Sequence, residues 1–303
     1  MKTHISTLFG LNITSHSQIE FVDIRIDKDT KLFIDPCLID IRKDKWSLAA
    51  KLTIDNYYKK LYSIYRNRKN DIVKLNLFAH SHEINDTRFG YGNGSNGKAK
   101  TPEGMLETFK GMDNLFLKRV NLTHPIDLSL FIQDFAEDCL SDMLTNILFK
   151  VLNDFTLEQC EKYGFKTMTP AKKYYYWDRE IGDWKTYEGK CMVYQNKVFL
   201  LVPKWFVRQR FYYNINQYFS MVILEKLKED NTVVDMKGKV FKPAKKTLRG
   251  NILHKNPDIL SASINYTKEN PDLLNGYHSQ IPLFYSNRGM TDDNLDKILY
   301  HVA

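Results

Sequence analysis

The sequence predicts an α+β protein: a mixed sheet built around one long buried central helix, followed by a helical C-terminal third. Three observations carry that prediction. Leu128–Tyr163 contains no Pro or Gly, and Leu140, Met143, Leu144, Ile147, Leu148 and Val151 cover one broad side of a helical wheel. Residues 18–38 alternate apolar and polar as half-buried strands do, and 172–202 holds β-prone aromatic and apolar runs separated by turns. Beyond residue 236 the chain is first basic and then helical, broken at Pro257 and Pro271. The simplest organisation is one intertwined domain. The alternative is a main α+β domain over 1–235 with a basic, helical subdomain over 236–303.

In chain order, Gln18–Leu38 reads as a hairpin around an acidic DKDT turn, closed by Asp35-Pro36 because proline cannot continue a ladder. At that strand end Asp35 suits a cap or turn, or reaches a site. A helix follows from about Trp46 to Arg68, with apolar residues at helical spacing. Val73–His80 reads as a short strand. Pro102 opens a helix running to Leu117, and Gly164 is placed to end the central helix as a C-cap. Lys172–Asp178, Trp184–Tyr194 and Lys197–Val202 read as strands, with turns at REIGD and at Gln195-Asn196. A helix at Gln217–Lys228 and a last one at Asp292–His301 complete the pattern.

Composition narrows the function. A chain of 303 residues, 43% hydrophobic and 13% aromatic, can bury a substantial core and is not a disordered segment. The four cysteines, Cys37, Cys139, Cys160 and Cys191, are far apart with no CxxC pattern, as expected for reduced, mostly buried thiols. MKTHISTLFGLNITSHSQ lacks the apolar run of a signal peptide, and no later run approaches membrane-spanning length. A soluble, cytoplasmic protein with no membrane partner is therefore expected. The net charge of +8 is concentrated in Tyr57–Lys74, Lys204–Arg210 and Lys237–Arg249, which favours an anionic partner, nucleic acid being the commonest.

Several chemical templates are missing: HExxH, GxSxG and a paired Cys/His zinc pattern. His80, His82 and Glu83 form a short HxHE cluster at a strand end, a set that could hold a divalent metal. Gly92, Gly97 and Lys98 match the start of a phosphate-binding loop, but Ala99 stands where a magnesium-binding hydroxyl belongs. The glycine segment instead suits a loop that orders over a polyanion through backbone amides, Lys98 and Lys100. On the central helix, Asp138, Asp142, Thr145 and Asn146 share one narrow sector bracketed by Phe131, Phe135 and Phe149. Buried carboxylates need a partner, so this stripe is either a structural ion-pair face or the floor of a site. Lys204, Arg208 and Arg210 precede Phe211, Tyr212 and Tyr213, so cations for phosphates sit beside rings for bases. Lys245 and Lys246 add a second basic patch.

Asp178 at a strand end, followed by Glu188-Gly189-Lys190, resembles the PD-(D/E)XK nuclease superfamily over about 55 residues. That family's core is a helix bearing an acid, a strand with Asp and a strand with Glu-X-Lys. The resemblance implies Asp138, Asp142, Asp178 and Glu188 as Mg²⁺ ligands, with Asp142, Asp178, Glu188 and Lys190 as the catalytic set. There the metal would activate water and stabilise the scissile phosphate, with lysine orienting the water. Trp177 replaces the proline that often precedes the Asp. The order FIDP, FGYG, SDMLTN, LLVPK also resembles uncharacterised bacterial proteins encoded near phage-defence genes. Lys204 of LLVPK is a rival for the cation of the acidic cluster. Together these imply a nucleic-acid-directed effector of antiviral defence, a Mg²⁺-dependent nuclease or nuclease-like subunit. The alternative is a non-catalytic nucleic-acid-binding or scaffold subunit, with a second defence protein or another copy as partner.

Overall fold

The computed structural model describes residues 3–81, 86–91, 101–118, 120–286 and 288–300. In chain order the elements are α1 (Ile5–Leu8), β1 (Phe33–Ile34), α2 (Pro36–Asp40), α3 (Lys45–Arg66) and α4 (Asp71–Phe78). Then come α5 (Pro102–Thr108), α6 (Met112–Leu117), α7 (Ile126–Phe131), α8 (Glu137–Ile147) and α9 (Phe149–Tyr163). Strands β2 (Thr167–Met168), β3 (Tyr174–Asp178), β4 (Asp183–Tyr187), β5 (Cys191–Tyr194), β6 (Lys197–Phe199) and β7 (Val207–Arg208) follow. A helical run, α10 (Ile215–Tyr218), a π-turn at Phe219–Ile223 and α11 (Leu224–Asp230), leads to a small hairpin, β8 (Val233–Val234) and β9 (Val240–Phe241). The chain closes on α12 (Lys245–His254), α13 (Ile259–Glu269), α14 (Asp272–Tyr285) and α15 (Asp292–Leu299).

The fold class is α+β, with small antiparallel sheets and a helical C-terminal region. α3 forms because Asp44 caps it, its carboxylate accepting from the Trp46 and Ser47 amides, and because Ala50, Ile54, Tyr57, Tyr58, Leu61 and Tyr65 repeat at helical spacing. It packs on α2, α6, α8, α9 and β3, and one continuous apolar core runs from Ile5 to Leu299. The expected central helix is three helices. The chain leaves α7 at Ile132, passes Asp134 at φ 61°, and restarts at Glu137. Asp tolerates that left-handed conformation better than most residues, so a break needed no glycine. A second break falls at Leu148, which leaves the helical ladder between α8 and α9 at φ −88° and ψ 5°. Likewise Pro102–Leu117 splits at Lys110-Gly111 into α5 and α6.

Two strand expectations are corrected. Val73–His80 lies mostly in α4, where the Asn70 side chain accepts from the Val73 amide while Lys74, Leu77 and Phe78 turn inward. Burial and a good N-cap outweigh the strand preference of Val. Between Ile19 and Asp35 the chain is mostly extended but does not pair with itself, and Pro36–Leu38 already belong to α2. Phe21 bridges Pro203, Arg25 bridges His4, Thr30 bridges Phe89, and β1 pairs with β7 in the register Phe33↔Arg208 and Ile34↔Val207. Alternation identifies extended backbone; it does not identify the partner. The remaining sheets are β2-β5-β6, the β3–β4 hairpin and the β8–β9 hairpin. Gln195 and Asn196 turn between β5 and β6 at φ 48° and 61°, and Gly164 ends α9 at φ 75°, both as expected. Among the described residues no helix is long and apolar enough to cross a membrane.

Candidate nucleic-acid interface

The functional geometry starts at β7. The Arg208 side chain is buried against a fully buried carboxylate, its Nε 2.8 Å from Asp35 Oδ2. Asp35 is also the N-cap of α2, accepting from the Cys37 amide at 2.9 Å, and Tyr213 donates to it at 3.3 Å. Burial pushes the Asp35 carboxyl up to about 6, against the opposing pull of the Arg208 guanidinium. Arg208 Nη2 also donates to the Arg288 carbonyl at 2.6 Å, joining β7 to the segment between α14 and α15.

Beyond β7 the chain keeps alternating. Phe211 and Tyr213 turn into an apolar hollow, while Arg208, Arg210 and Tyr212 line a cleft of about 580 Å³ on the other side. The rest of its wall comes from Lys31 and from Arg288, Asn294 and Lys297. Through Lys31, Gln209, Lys297 and Ile298 it runs into a second hollow of about 500 Å³, bounded by Arg25, Lys28, Gly90 and Tyr91. Among the described residues Lys28, Lys31, Arg210, Arg288 and Lys297 form no ion pair with a carboxylate. Two of them rest on rings instead: Lys31 lies 5.1 Å from the Tyr91 ring, and Arg288 lies 4.0 Å from Phe284 and 5.7 Å from Tyr212. Tyr91 is 52% and Tyr212 41% exposed, so both rings remain open to a ligand.

Of the residues expected from sequence, Arg208 and Arg210 belong to this cleft. Lys204 does not: its Nζ sits 2.7 Å from Asp292 and donates to the His16 carbonyl, fastening α15 to the N-terminal segment. Lys245 is paired with Glu225 at 2.5 Å, and Lys246 is exposed on α12. Lys98 and Lys100, with the glycine segment 92–97, lie outside the described residues, as do His82 and Glu83. His80 stacks face to face on Tyr175 at 3.5 Å. Lys28, Lys31, Arg288 and Lys297 had no local signal, because each is isolated or interleaved with acids and only the fold gathers them.

The acidic constellation is not assembled as expected. Asp178 and Asp183 face each other at the turn end of the β3–β4 hairpin, while Tyr174 faces Tyr187 at its other end. Glu188 follows Tyr187, so it lies past the far end of the hairpin, more than about 13 Å along the strands from Asp178 and too far for one metal ion. Glu188, Gly189 and Lys190 are not on a strand but in the link to β5, with Glu188 and Lys190 exposed. Gly189 is there for room: a Cβ would stand 2.5 Å from the Tyr187 hydroxyl, which donates to the Lys190 carbonyl. The Asp178 carboxyl is held below its usual range by the Glu180 backbone amide first, and Lys185 lies 3.6 Å away.

The helix stripe is partly a polar seam. Ser141 Oγ accepts from the Ile34 amide at 2.9 Å, so α8 covers the outer edge of β1. Thr145 and Asn146 are buried and donate back to the Ser141 and Asp142 carbonyls. Asp138 and Asp142 are half-buried. Glu137 accepts from Tyr91, and Asp138 Oδ1 lies 3.1 Å from where a Cβ on Gly90 would stand. Among the described residues no group of three His, Cys, Asp or Glu is set to hold a metal.

Fold and site define a helix-rich α+β protein with an open cationic cleft. Residues 10–214 match the family model DUF8370, a domain of unknown function, and the chain belongs to that family. No curated protein and no solved structure matches it. The matched region ends beside Tyr213, so Arg288, Asn294 and Lys297 on the far wall of the cleft lie outside it.

Proposed function

We propose that this protein binds nucleic acid through the cationic cleft, as a nucleic-acid-directed component of bacterial antiviral defence. The observation that carries the reading is the convergence of five cations without ion-pair partners among the described residues, drawn from positions 28–31, 210 and 288–297, around one continuous hollow. Such a row repels itself until a polyanion neutralises it, and the counterions released from the phosphates then favour binding. Tyr91 and Tyr212 offer ring faces to bases, each stack being worth about 1–3 kcal/mol. The defence setting rests on the resemblance of the FIDP, FGYG, SDMLTN and LLVPK segments. Fluorescence anisotropy with labelled DNA and RNA over a salt series tests the binding. Lys31→Gln, Arg210→Gln and Lys297→Gln together should flatten the log–log salt slope by about 2.7 on duplex DNA and about 2.1 on a single strand. Equal slopes for wild type and variant would remove the cleft from the account.

A second reading keeps cleavage, and Asp138 beside Gly90 at the edge of the second hollow favours it. Mg²⁺ is commonly held by one or two carboxylates together with substrate phosphates, and Asp142 lies one turn further along α8. Asp138→Asn and Asp142→Asn should then abolish metal-dependent cleavage while leaving oligonucleotide affinity in place. Wild-type protein that leaves single- and double-stranded DNA and RNA intact with Mg²⁺ or Mn²⁺ sinks this second reading.

A further inference from the structure

The segment from Val233 to Lys242 stands apart from everything described so far. Two β-branched or aromatic pairs flank DMKGK, and they form a ribbon with Val233 opposite Phe241 and Val234 opposite Val240. The turn is a three-residue loop: the Asp235 amide donates to the Lys239 carbonyl at 3.0 Å, the Gly238 amide donates to the Asp235 carbonyl at 3.0 Å, and Gly238 takes φ 78°. This is a type I turn closed by a left-handed glycine, which fixes the register. Asp235 Oδ1 accepts from the Lys237 and Lys239 amides, both at 2.9 Å. The one acid between Val233 and Arg249 is therefore used to hold the turn.

Every residue of the ribbon is exposed. Val233 and Val234 are 62% and 59% exposed, and Met236 at the tip is 107% exposed. An isolated two-stranded hairpin in water is marginal, and this one shows apolar side chains on both faces. It also carries Lys237, Lys239 and Lys242, whereas Lys245 at its base is engaged by Glu225 on α11. The charge selects the occupant. Lysine is depleted at protein–protein interface cores, which argues against a protein groove. A lipid bilayer would leave both free strand edges without hydrogen-bond partners, which argues against insertion in a membrane. A nucleic-acid duplex matches all three features: its groove admits a two-stranded ribbon, its phosphates meet the lysines, and an apolar tip wedges against a base step. The strands from Val233 to Met236 reach about 10 Å, enough for the floor of a groove about 8 Å deep.

We propose that the β8–β9 ribbon is a duplex-reading arm, with Lys237, Lys239 and Lys242 on the phosphates and Met236 at a base step. The proposal deepens the nucleic-acid reading, since it assigns double-stranded nucleic acid to a site separate from the cleft and outside the matched family region. The test compares four full-length proteins on a labelled duplex DNA and on one of its strands: wild type, the triple Gln variant of Lys31, Arg210 and Lys297, the triple Gln variant of Lys237, Lys239 and Lys242, and Met236→Ser. A 2-aminopurine in the duplex reports base unstacking. The arm variant should weaken duplex binding at least about tenfold and flatten its salt slope by about 2.7, with single-strand binding unchanged. Met236→Ser should keep the slope and lose the fluorescence rise. An arm variant that binds the duplex like wild type, or loses both ligands equally, overturns the arm. So does retention of wild type, and not of the arm variant, on phosphatidylserine vesicles with no difference on the duplex. Loss of duplex binding in the arm variant alone, with the cleft variant unaffected, upholds the arm and removes the cleft.

Discussion

The β3–β4 hairpin and the cationic cleft make opposite use of sequence distance. In the hairpin, Asp178 and Glu188 are ten positions apart, and the register drives them to opposite ends of two paired strands. In the cleft, Lys31, Arg210 and Lys297 are hundreds of residues apart at the extremes, and the fold brings them to one wall. A short motif is convincing on paper because its residues are close along the chain. Antiparallel pairing folds that closeness away, whereas long-range pairing of β1 with β7 creates closeness no window of sequence can display. The buried Asp35–Arg208 pair is the hinge between the two cases, since it sets the strand from which Arg210 and Tyr212 enter the cleft.

Breaking that hinge should have the largest effect. Asp35→Ala leaves the Arg208 guanidinium buried without its carboxylate and should cost about 3–5 kcal/mol in chemical denaturation. A cost near zero would mean that Arg208 finds water or another acceptor, and that the strand is not held through this pair.

Acid should weaken the cleft before it weakens the hairpin. The far wall hangs on α15, and α15 is anchored by His16, whose Nδ1 donates to Asp296 at 2.6 Å while its Nε2 accepts from the Asp23 amide at 3.1 Å. That second bond requires a neutral ring. Burial lowers the His16 pKa below its usual value, against the charges of Asp296, Asp23 and Asp292, and burial takes His124 down to about 4. With folded values below the unfolded value of about 6.5, the unfolded chain binds more protons in that window. This stability is fully present above about 6.5 and is lost as pH falls through the folded values. Asp35 works the other way, because its raised pKa contributes stability at low pH that is lost as pH rises through about 6. Thermal melts from neutral pH down to about 5 should show falling stability, with oligonucleotide binding lost before the near-ultraviolet signal of Trp177 and Trp184. Melting that is flat or rises on acidification would contradict the His16 anchor.

The smallest effects should come from the hairpin's motif. Gly189→Ala places a methyl group against the pinned Tyr187 ring and should cost roughly 1–3 kcal/mol. Glu188→Gln and Lys190→Gln, at exposed positions, should each stay within about 0.5 kcal/mol in the same denaturation experiment. Reversal of that order would show that Glu188 and Lys190 carry structure or ligand contacts that the geometry does not give them.

What was legible in the sequence was local. The spacing of Ile54, Tyr58 and Leu61, the Gln195-Asn196 turn and the glycine at 164 each act within a few residues, so their elements appear where expected. Asp134 and Leu148 broke the long helix because nothing in composition marks a left-handed aspartate or a kink without proline. Arg208 and Arg210 were legible as a basic run beside aromatic rings. Lys28 and Lys31 were hidden in DKDTK, where acids cancel their charge in any short window, and Arg288 and Lys297 are single cations between neutral or acidic neighbours. Lys204 read as a cation of a site because the sequence could not show Asp292 waiting for it.

The most direct measurement sets the two regions against each other on one ligand. Salt-dependent binding of a labelled oligonucleotide is compared for wild type, for the triple Gln variant of Lys31, Arg210 and Lys297, and for a triple Gln variant of Lys172, Lys185 and Lys190 around the hairpin. The cleft variant should bind more weakly with a log–log slope shallower by about 2.7 on duplex DNA or about 2.1 on a single strand, while the hairpin variant follows wild type. Equal loss in both variants, or a cleft variant that binds like wild type, would contradict the assignment of the cleft as the nucleic-acid site.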